Sequence, residues 1–230
     1  MATEEVDPRF ADLDGWSLVS AIEAMWEGQL SAVAAVGHAL AAITTATELA
    51  KDALRDRGRI VYVGAGTSGR VAVQDGAELT PTFAWPRERV HFVVAGGDNA
   101  LATSIEGAED DIEDAIHQID SARLTPEDVV IAVSASGTTP FTVAALQRAE
   151  GCGAVTIGVA NNAGSPSGKA MSQHSELPGT LSISSVQPAI NPSAVLVSTC
   201  MKERPITPNV IASKSLLVAP TAANHSWVNI

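Results

Sequence analysis

The segment 58–70, GRIVYVGAGTSGR, constrains the fold more than any other, because a short β-branched run ends there in three closely spaced glycines. The apolar residues 59–63 predict a buried strand, and residues from about 70 to 78 predict the helix that follows it. The glycines suit a tight turn in which backbone amides approach a ligand closely. The segment therefore predicts a strand–helix unit with a ligand-binding turn between its two elements.

The chain repeats this unit. Apolar runs at 90–95, 128–134 and 154–160 predict three further strands, and residues 100–121 and 141–150 predict intervening helices. Strands and helices that alternate over short connections indicate an α/β fold with a doubly wound parallel sheet. Such a sheet collects its ligands at the carboxyl ends of the strands.

Helical periodicity precedes the first strand, within residues 16–57. Apolar residues recur there at three- and four-residue steps from Leu18 to Leu54. Because Gly28 interrupts the pattern, we predict two helices with a break near Gly28 and Gln29.

Two hydroxyl-rich loops follow predicted strands. Thr67 and Ser68 lie at the start of the first helix, and the loop 134–139, SASGTT, follows the third strand. Hydroxyls beside the amides of a helix N-terminus suit a phosphate monoester, so a pair of such loops favours a phosphosugar. A dinucleotide is disfavoured, because the nearest matching acid, Asp98, lies 29 residues past Gly69 instead of about 20. A purely structural turn is the remaining alternative.

Composition narrows the partners. With 14 basic and 26 acidic residues the formal net charge is -12, which disfavours nucleic acid and anionic membranes as partners. The acidic start of the chain and the lack of a long uncharged apolar run predict a cytoplasmic protein. Two cysteines, Cys152 and Cys200, form no recognisable metal motif, so we expect neither a metal nor another cofactor.

Carboxylates near the loops are candidates for proton transfer. Glu78 closes the first helix among small and apolar residues, where partial burial would raise its pKa and make it a general acid. The alternative is a solvent-exposed carboxylate at a helix end. The acidic run 106–114 is typical of a solvated helix face, and the residues alone do not single out Glu109 within it.

Four blocks carry a family resemblance: GRIVYVGAGTSGRVAVQDGAELTPTF, VAGGDNALATSIEGAEDD, LTPEDVVIAVSASGTTPF and TIGVANNAGSP. Together they closely resemble the N-acetylmuramic acid 6-phosphate etherases, enzymes with a sugar isomerase (SIS) fold. The N-terminal TEEVDPRFADLD is also similar to that family, so the resemblance covers about residues 3–168. It implies a flavodoxin-like three-layer sandwich preceded by N-terminal helices.

The resemblance also implies a reaction and a set of site residues. These enzymes remove the D-lactyl ether of N-acetylmuramic acid 6-phosphate by elimination and water addition, without a cofactor, and are expected to be homodimers. Glu78 matches the acid that assists lactate departure, and Glu109 matches the second catalytic glutamate. The matched substrate-binding residues are Gly66, Thr67, Ser68, Gly69, Ser134, Ser136, Gly137 and Thr139.

The chain departs from the family in two places. Its second loop reads ASGTTPF where the family usually has ASGRTPY, so Thr138 replaces an arginine. Residues 169–230 match no family segment. We therefore expect three parts: an N-terminal helical segment 1–57, a SIS domain 58–168, and a divergent tail 169–230 that is either out of frame or naturally different. An aberrant tail would impair activity. A phosphosugar isomerase and a non-catalytic sugar-phosphate-binding regulator are the alternative functions.

Overall fold

The protein forms a three-layer α/β structure around a parallel sheet. The computed structural model describes residues 7–162 and 180–184. In chain order, the helices and strands are α1 (Leu18–Val36), α2 (Leu40–Leu54), β1 (Ile60–Gly64), α3 (Gly66–Phe83), β2 (Val90–Val94), α4 (Ile112–Ala122), β3 (Val129–Val133), α5 (Pro140–Gly151), β4 (Val155–Ala160) and β5 (Thr180–Ser184).

The sheet has the order β2-β1-β3-β4-β5, and all its pairings are parallel. The four predicted strands are confirmed to within one residue at each end. The fifth, β5, was not predicted; its backbone pairs with β4. The predicted doubly wound α/β fold is therefore correct.

Two apolar clusters cover the two faces of the sheet. Ile60 and Tyr62 of β1 pack with α2 and α3, whereas Val61 and Val63 pack with α4 and α5. Successive strand residues point to opposite faces, so a strand that is buried on both sides reads as one continuous apolar run. This explains why β1, β3 and β4 were easy to recognise.

Three predicted helix boundaries were wrong. Helix α1 continues through Gly28, and the break is a 3-10 turn at Gly37–Ala39. A lone glycine costs a helix only about 1 kcal/mol, which its neighbours offset. Helix α3 begins four residues early and continues to Phe83, where Ala84 ends it in a left-handed conformation.

The third correction concerns the acidic segment after β2. Residues 100–121 do not form one helix, because α4 begins only at Ile112. Gly107 has φ +75° and interrupts the chain between two short 3-10 turns, and the Asp111 side chain accepts a hydrogen bond from the Asp114 amide to cap α4. The segment consequently wraps over the carboxyl edge of the sheet.

A buried ion pair closes the opposite, amino edge. Asp128 is 2% exposed and accepts bonds from the Arg59 amide, the Arg59 guanidinium and the Thr125 amide, all at 2.8–3.1 Å. Burial alone would raise the pKa of Asp128, but these donors outweigh it and hold that pKa below its ordinary value. Arg59 also donates to the carbonyls of Ala122 and Arg123, so the pair joins β1, β3 and the end of α4.

Helix α1 leaves an apolar face uncovered. Only Ala24 and Ala32 of this helix are buried, while Ile22, Met25 and Trp26 are 57–63% exposed. The helical run Leu18–Leu54 is long and apolar enough to cross a membrane by composition, with a mean hydropathy of 1.5 in its most apolar window. Its α2 half, however, packs on the sheet. The exposed apolar surface of this run therefore lies mainly on α1, with Leu40 at the start of α2 also exposed.

Two glycines allow β1 and α3 to meet. A Cβ on Gly69 would lie 2.9 Å from the Gly64 carbonyl oxygen, and a Cβ on Gly64 would lie 2.8 Å from the Gly69 Cα. These contacts are with backbone atoms, which cannot rotate away. The junction therefore requires glycine at both positions.

We expect Gly69→Ala to lower the free energy of unfolding by about 1–3 kcal/mol, because the new methyl group displaces the start of α3 from β1. Gly28→Ala is the matched control. No atom lies within 4 Å of its added Cβ, so it should stabilise the protein by about 0.5–1 kcal/mol. Urea unfolding of both variants measures the difference, and equal effects would contradict the proposed close approach.

Candidate functional site

The two hydroxyl-rich loops lie side by side at the carboxyl edge of the sheet. Strands β1 and β3 are neighbours, and Gly64 is paired with Val133 at their last positions. In the order β2-β1-β3-β4-β5 the connections leave these two strands in opposite directions, which opens a crevice where ligands bind. The structure therefore brings the predicted loops together.

The first loop presents the N-terminus of α3. Gly66 has φ +53°, and the preceding N-cap residue Ala65 offers no side chain to cap the first turn. The first amides of a helix have no intrahelical acceptor, and no acidic residue occupies the first turn. Thr67 is exposed and Ser68 half-buried beside these amides. The loop is thus suited to an anion.

The second loop is held by its own hydroxyls. Ser134 is 3% exposed, and its Oγ accepts a bond from the Gly137 amide at 3.1 Å and lies 3.0 Å from the Thr139 Oγ1. The Ser136 Oγ accepts bonds from the amide and hydroxyl of Thr138. Helix α5 starts directly afterwards, with Thr139 as its N-cap residue. The loop is ordered before any ligand arrives.

A cavity of about 320 Å³ opens beside the first loop. Its walls come from the start of α3 and from the segment that follows β2, the segment whose helical prediction was wrong. Glu109 lies in its wall, so the irregular chain path brings this glutamate to the sheet edge. The lining residues are Gly66, Arg70, Ala95, Ala100, Ser104, Ile105, Glu106, Gly107, Ala108 and Glu109.

Glu78 is placed differently from the prediction. It is exposed, so the expected partial burial is wrong, and it does not line this cavity. Residues 67 and 78 are three turns apart, about 16 Å along one stripe of α3. Small neighbours in the sequence suggested burial, but the sheet covers a different face of the helix, that of Ala72 and Leu79.

The buried carboxylate of α3 is Asp75. It is 4% exposed and accepts a hydrogen bond of 2.9 Å from the Tyr62 hydroxyl. Burial, followed by the nearby negative charge and this bond, raises the pKa of Tyr62 well above its ordinary value. The pair therefore anchors α3 to β1 beneath the site.

Arg70 is a site residue that was not predicted from the sequence. Its side chain is half-buried in the cavity wall and donates from Nε to the Ala100 carbonyl at 3.1 Å. The signal was its position four residues after Gly66, which places it on the same helix face as the loop. Ser104, which accepts from Arg70, gave no signal because it lies in an irregular segment.

Within residues 7–162 and 180–184, no group of three metal-ligating side chains comes together. The site chemistry available there consists of hydroxyls, helix amides, carboxylates and one guanidinium. Such groups bind an anion and transfer protons.

Comparison with known proteins agrees with this fold. Residues 41–150 match the family model described as the glucokinase regulatory protein N-terminal SIS domain. A phosphoheptose isomerase from Francisella tularensis has a similar structure, with a TM-score of 0.58 and 16% identity, over 81% of this chain and 97% of that one.

Two curated relatives are named N-acetylmuramic acid 6-phosphate etherase. The Deinococcus radiodurans protein is 47% identical over 164 residues, which are 71% of this chain and 54% of that protein. The Yersinia pestis protein is 34% identical over 202 residues, 88% of this chain and 65% of that protein. The chain thus spans about half the length of the first curated relatives that it matches.

These relatives also bear on the expected end of the resemblance near residue 168. An alignment of 164 residues agrees with that limit, but one of 202 residues must extend beyond it. The sheet order, the family model and these relatives lead to one conclusion. The chain has the fold of the SIS domain, and its sequence resembles the N-acetylmuramic acid 6-phosphate etherases.

Proposed function

We propose that this chain cleaves the D-lactyl ether of N-acetylmuramic acid 6-phosphate, giving N-acetylglucosamine 6-phosphate and D-lactate. The observation that carries the proposal is the carboxyl edge of the sheet, where two uncharged hydroxyl-rich loops follow neighbouring strands and the first of them adjoins a cavity with Glu109 in its wall. The names of the curated relatives support the same reaction.

The phosphate would be bound without a cation. Helix N-termini α3 and α5 direct their free amides and dipoles to this edge, and the hydroxyls of Ser134 and Thr139 are already positioned. The net charge of -12 repels an anion over longer distances, so the phosphate has to be held by local donors such as amides and hydroxyls. Thr138, which replaces the family arginine, is consistent with phosphate binding by uncharged donors.

Elimination requires two proton transfers. In the open-chain sugar the C1 aldehyde acidifies the C2 proton; a base removes it, the C3–O bond breaks, and the departing lactate alkoxide takes up a proton. Water then adds at C3 of the unsaturated aldehyde. Glu109 is the proposed base, which its position in the cavity wall next to the first loop supports. Glu78 is the second proposed acid by resemblance.

The homodimer offers a route for Glu78 to take part. In one chain Glu78 and Glu109 do not line the same cavity. We propose that a second copy covers the apolar face of α1 and brings the exposed stripe of α3 to a neighbouring site. Burial of Trp26 and its exposed neighbours would stabilise such a dimer by roughly 1.5–3 kcal/mol per large side chain.

The proposed activity predicts that purified protein releases D-lactate from N-acetylmuramic acid 6-phosphate. Glu109→Gln and Glu78→Gln should each lower the rate about 100-fold or more, because proton transfer is lost while size is kept. Glu88→Gln, exposed near the amino end of β2, is the control and should retain the rate. A coupled D-lactate dehydrogenase assay measures all four proteins.

Three outcomes would contradict this assignment. Full activity in both glutamine variants would remove the catalytic roles. Ketose formation without D-lactate would indicate an isomerase instead, and sugar-phosphate binding with no turnover would indicate a regulator.

The dimer proposal predicts that Trp26→Glu shifts the protein towards the monomer mass in light scattering after size exclusion. A charge on the α1 face disfavours its burial against a second copy. Gln147→Glu is the control: it introduces the same charge at an exposed position of α5 and should leave the mass unchanged. A wild-type protein that is monomeric at high micromolar concentration would refute the proposal.

We also propose that residues 1–57 are a helical segment, residues 58–168 the SIS domain and residues 169–230 a divergent tail that is either out of frame or naturally different. The change in residue types near Gly168 and the 164-residue alignment support a boundary at 168, whereas the 202-residue alignment and the pairing of β5 with β4 favour a natural tail. Translation of the gene in the other two frames after codon 168 should restore a segment resembling GSTRLKAGTAQK. If neither frame does so, the tail is a natural divergence.

A further inference from the structure

Arg70 is the cation of the cavity. Its Nε donates to the Ala100 carbonyl at 3.1 Å, and its Nη2 donates to the Ser104 hydroxyl at 3.3 Å. Both acceptors are neutral and lie in the segment after β2. The guanidinium is therefore held in place at the cavity wall without being neutralised by these contacts.

Arg70 takes no part in the ion pairs that other arginines of the described residues form. Arg59, Arg148 and Arg9 each pair with an aspartate at 2.6–2.8 Å, whereas Arg70 has no carboxylate partner in residues 7–162. A guanidinium has five N–H donors, and two of them serve Ala100 and Ser104. The other donors are available for an anionic ligand.

The proposed substrate carries two anions. Its phosphate matches the uncharged loops, which leaves the carboxylate of the lactyl group without a partner. The planar fork of an arginine fits a carboxylate with two parallel hydrogen bonds. Arg70 is four residues from Gly66, so it stands one helix turn from the loop that would hold the phosphosugar.

We propose that Arg70 binds the carboxylate of the D-lactyl group and makes this site selective for 3-O-carboxyalkyl sugar phosphates. This inference rests on the proposed function. It explains why a strongly acidic chain keeps a half-buried arginine beside Glu106 and Glu109. It also assigns recognition of the sugar phosphate and of the lactyl group to different parts of the site.

The test compares two substrates, N-acetylmuramic acid 6-phosphate and its lactamide, in which a neutral amide replaces the carboxylate. The wild-type kcat/KM should favour the carboxylate substrate. Arg70→Gln should reduce kcat/KM for that substrate about 10- to 100-fold, the range expected for a charged hydrogen bond, and leave the lactamide nearly unaffected. Arg87→Gln makes the same change in net charge at an exposed site and should preserve the preference.

Binding provides a readout that does not depend on turnover. Calorimetry with the same lactamide and with N-acetylglucosamine 6-phosphate, which lacks the lactyl group, should show similar affinities in wild type and Arg70→Gln. Equal losses for both substrates in the kinetic comparison, or equal losses of affinity for both ligands, would show a merely structural role for Arg70. A wild type that binds both phosphosugars but releases no lactate would refute the etherase proposal. In that case, tighter binding of N-acetylmuramic acid 6-phosphate than of its lactamide, abolished by Arg70→Gln, would still support the carboxylate contact. Absence of this binding preference in the wild type would overturn the proposed role of Arg70.

Discussion

The close approach of Gly64 and Gly69 is the constraint on which the site depends. The last residue of β1 and the first turn of α3 touch through backbone atoms, at distances that a side chain at either position would prevent. This contact lets α3 begin two residues after the strand ends, with its free amides at the sheet edge. Helix dipole, hydroxyls and Arg70 all take their positions from that start.

The two edges of the sheet have opposite electrostatic character. At the amino edge, the buried carboxylate of Asp128 is saturated by donors from Arg59 and Thr125, so that edge is closed. At the carboxyl edge the helix amides remain available, and the hydrogen bonds of the Arg70 guanidinium go to neutral acceptors. An acidic protein can bind an anionic sugar there because local donors, at hydrogen-bond distance, outweigh a distant repulsion that salt screens.

Much of this arrangement was accessible from the sequence. The apolar runs of β1, β3 and β4 are buried on both faces, which makes them unambiguous, and a parallel sheet puts both loops at its carboxyl edge. Their adjacency depends on the pairing of β1 with β3, which the structure shows. The path of residues 98–111 could not be predicted from the sequence. Acidic residues at helical spacing suggest a solvated helix, whereas the structure interrupts this segment at Gly107. Exposure of Glu78 was also missed, since its neighbours in sequence are small but its neighbours in space are absent on that helix face.

The sequence by itself determined the parallel α/β fold and the two hydroxyl-rich loops, because local hydrophobic pattern and turn residues are short-range properties that each segment carries alone. Tertiary structure alone decided that Glu106 and Glu109 share a cavity with the cation Arg70. Glu109 and Arg70 line one cavity, whose wall is built from α3 and the segment after β2. Their proximity arises from the packing of segments 39 residues apart, which no local pattern records.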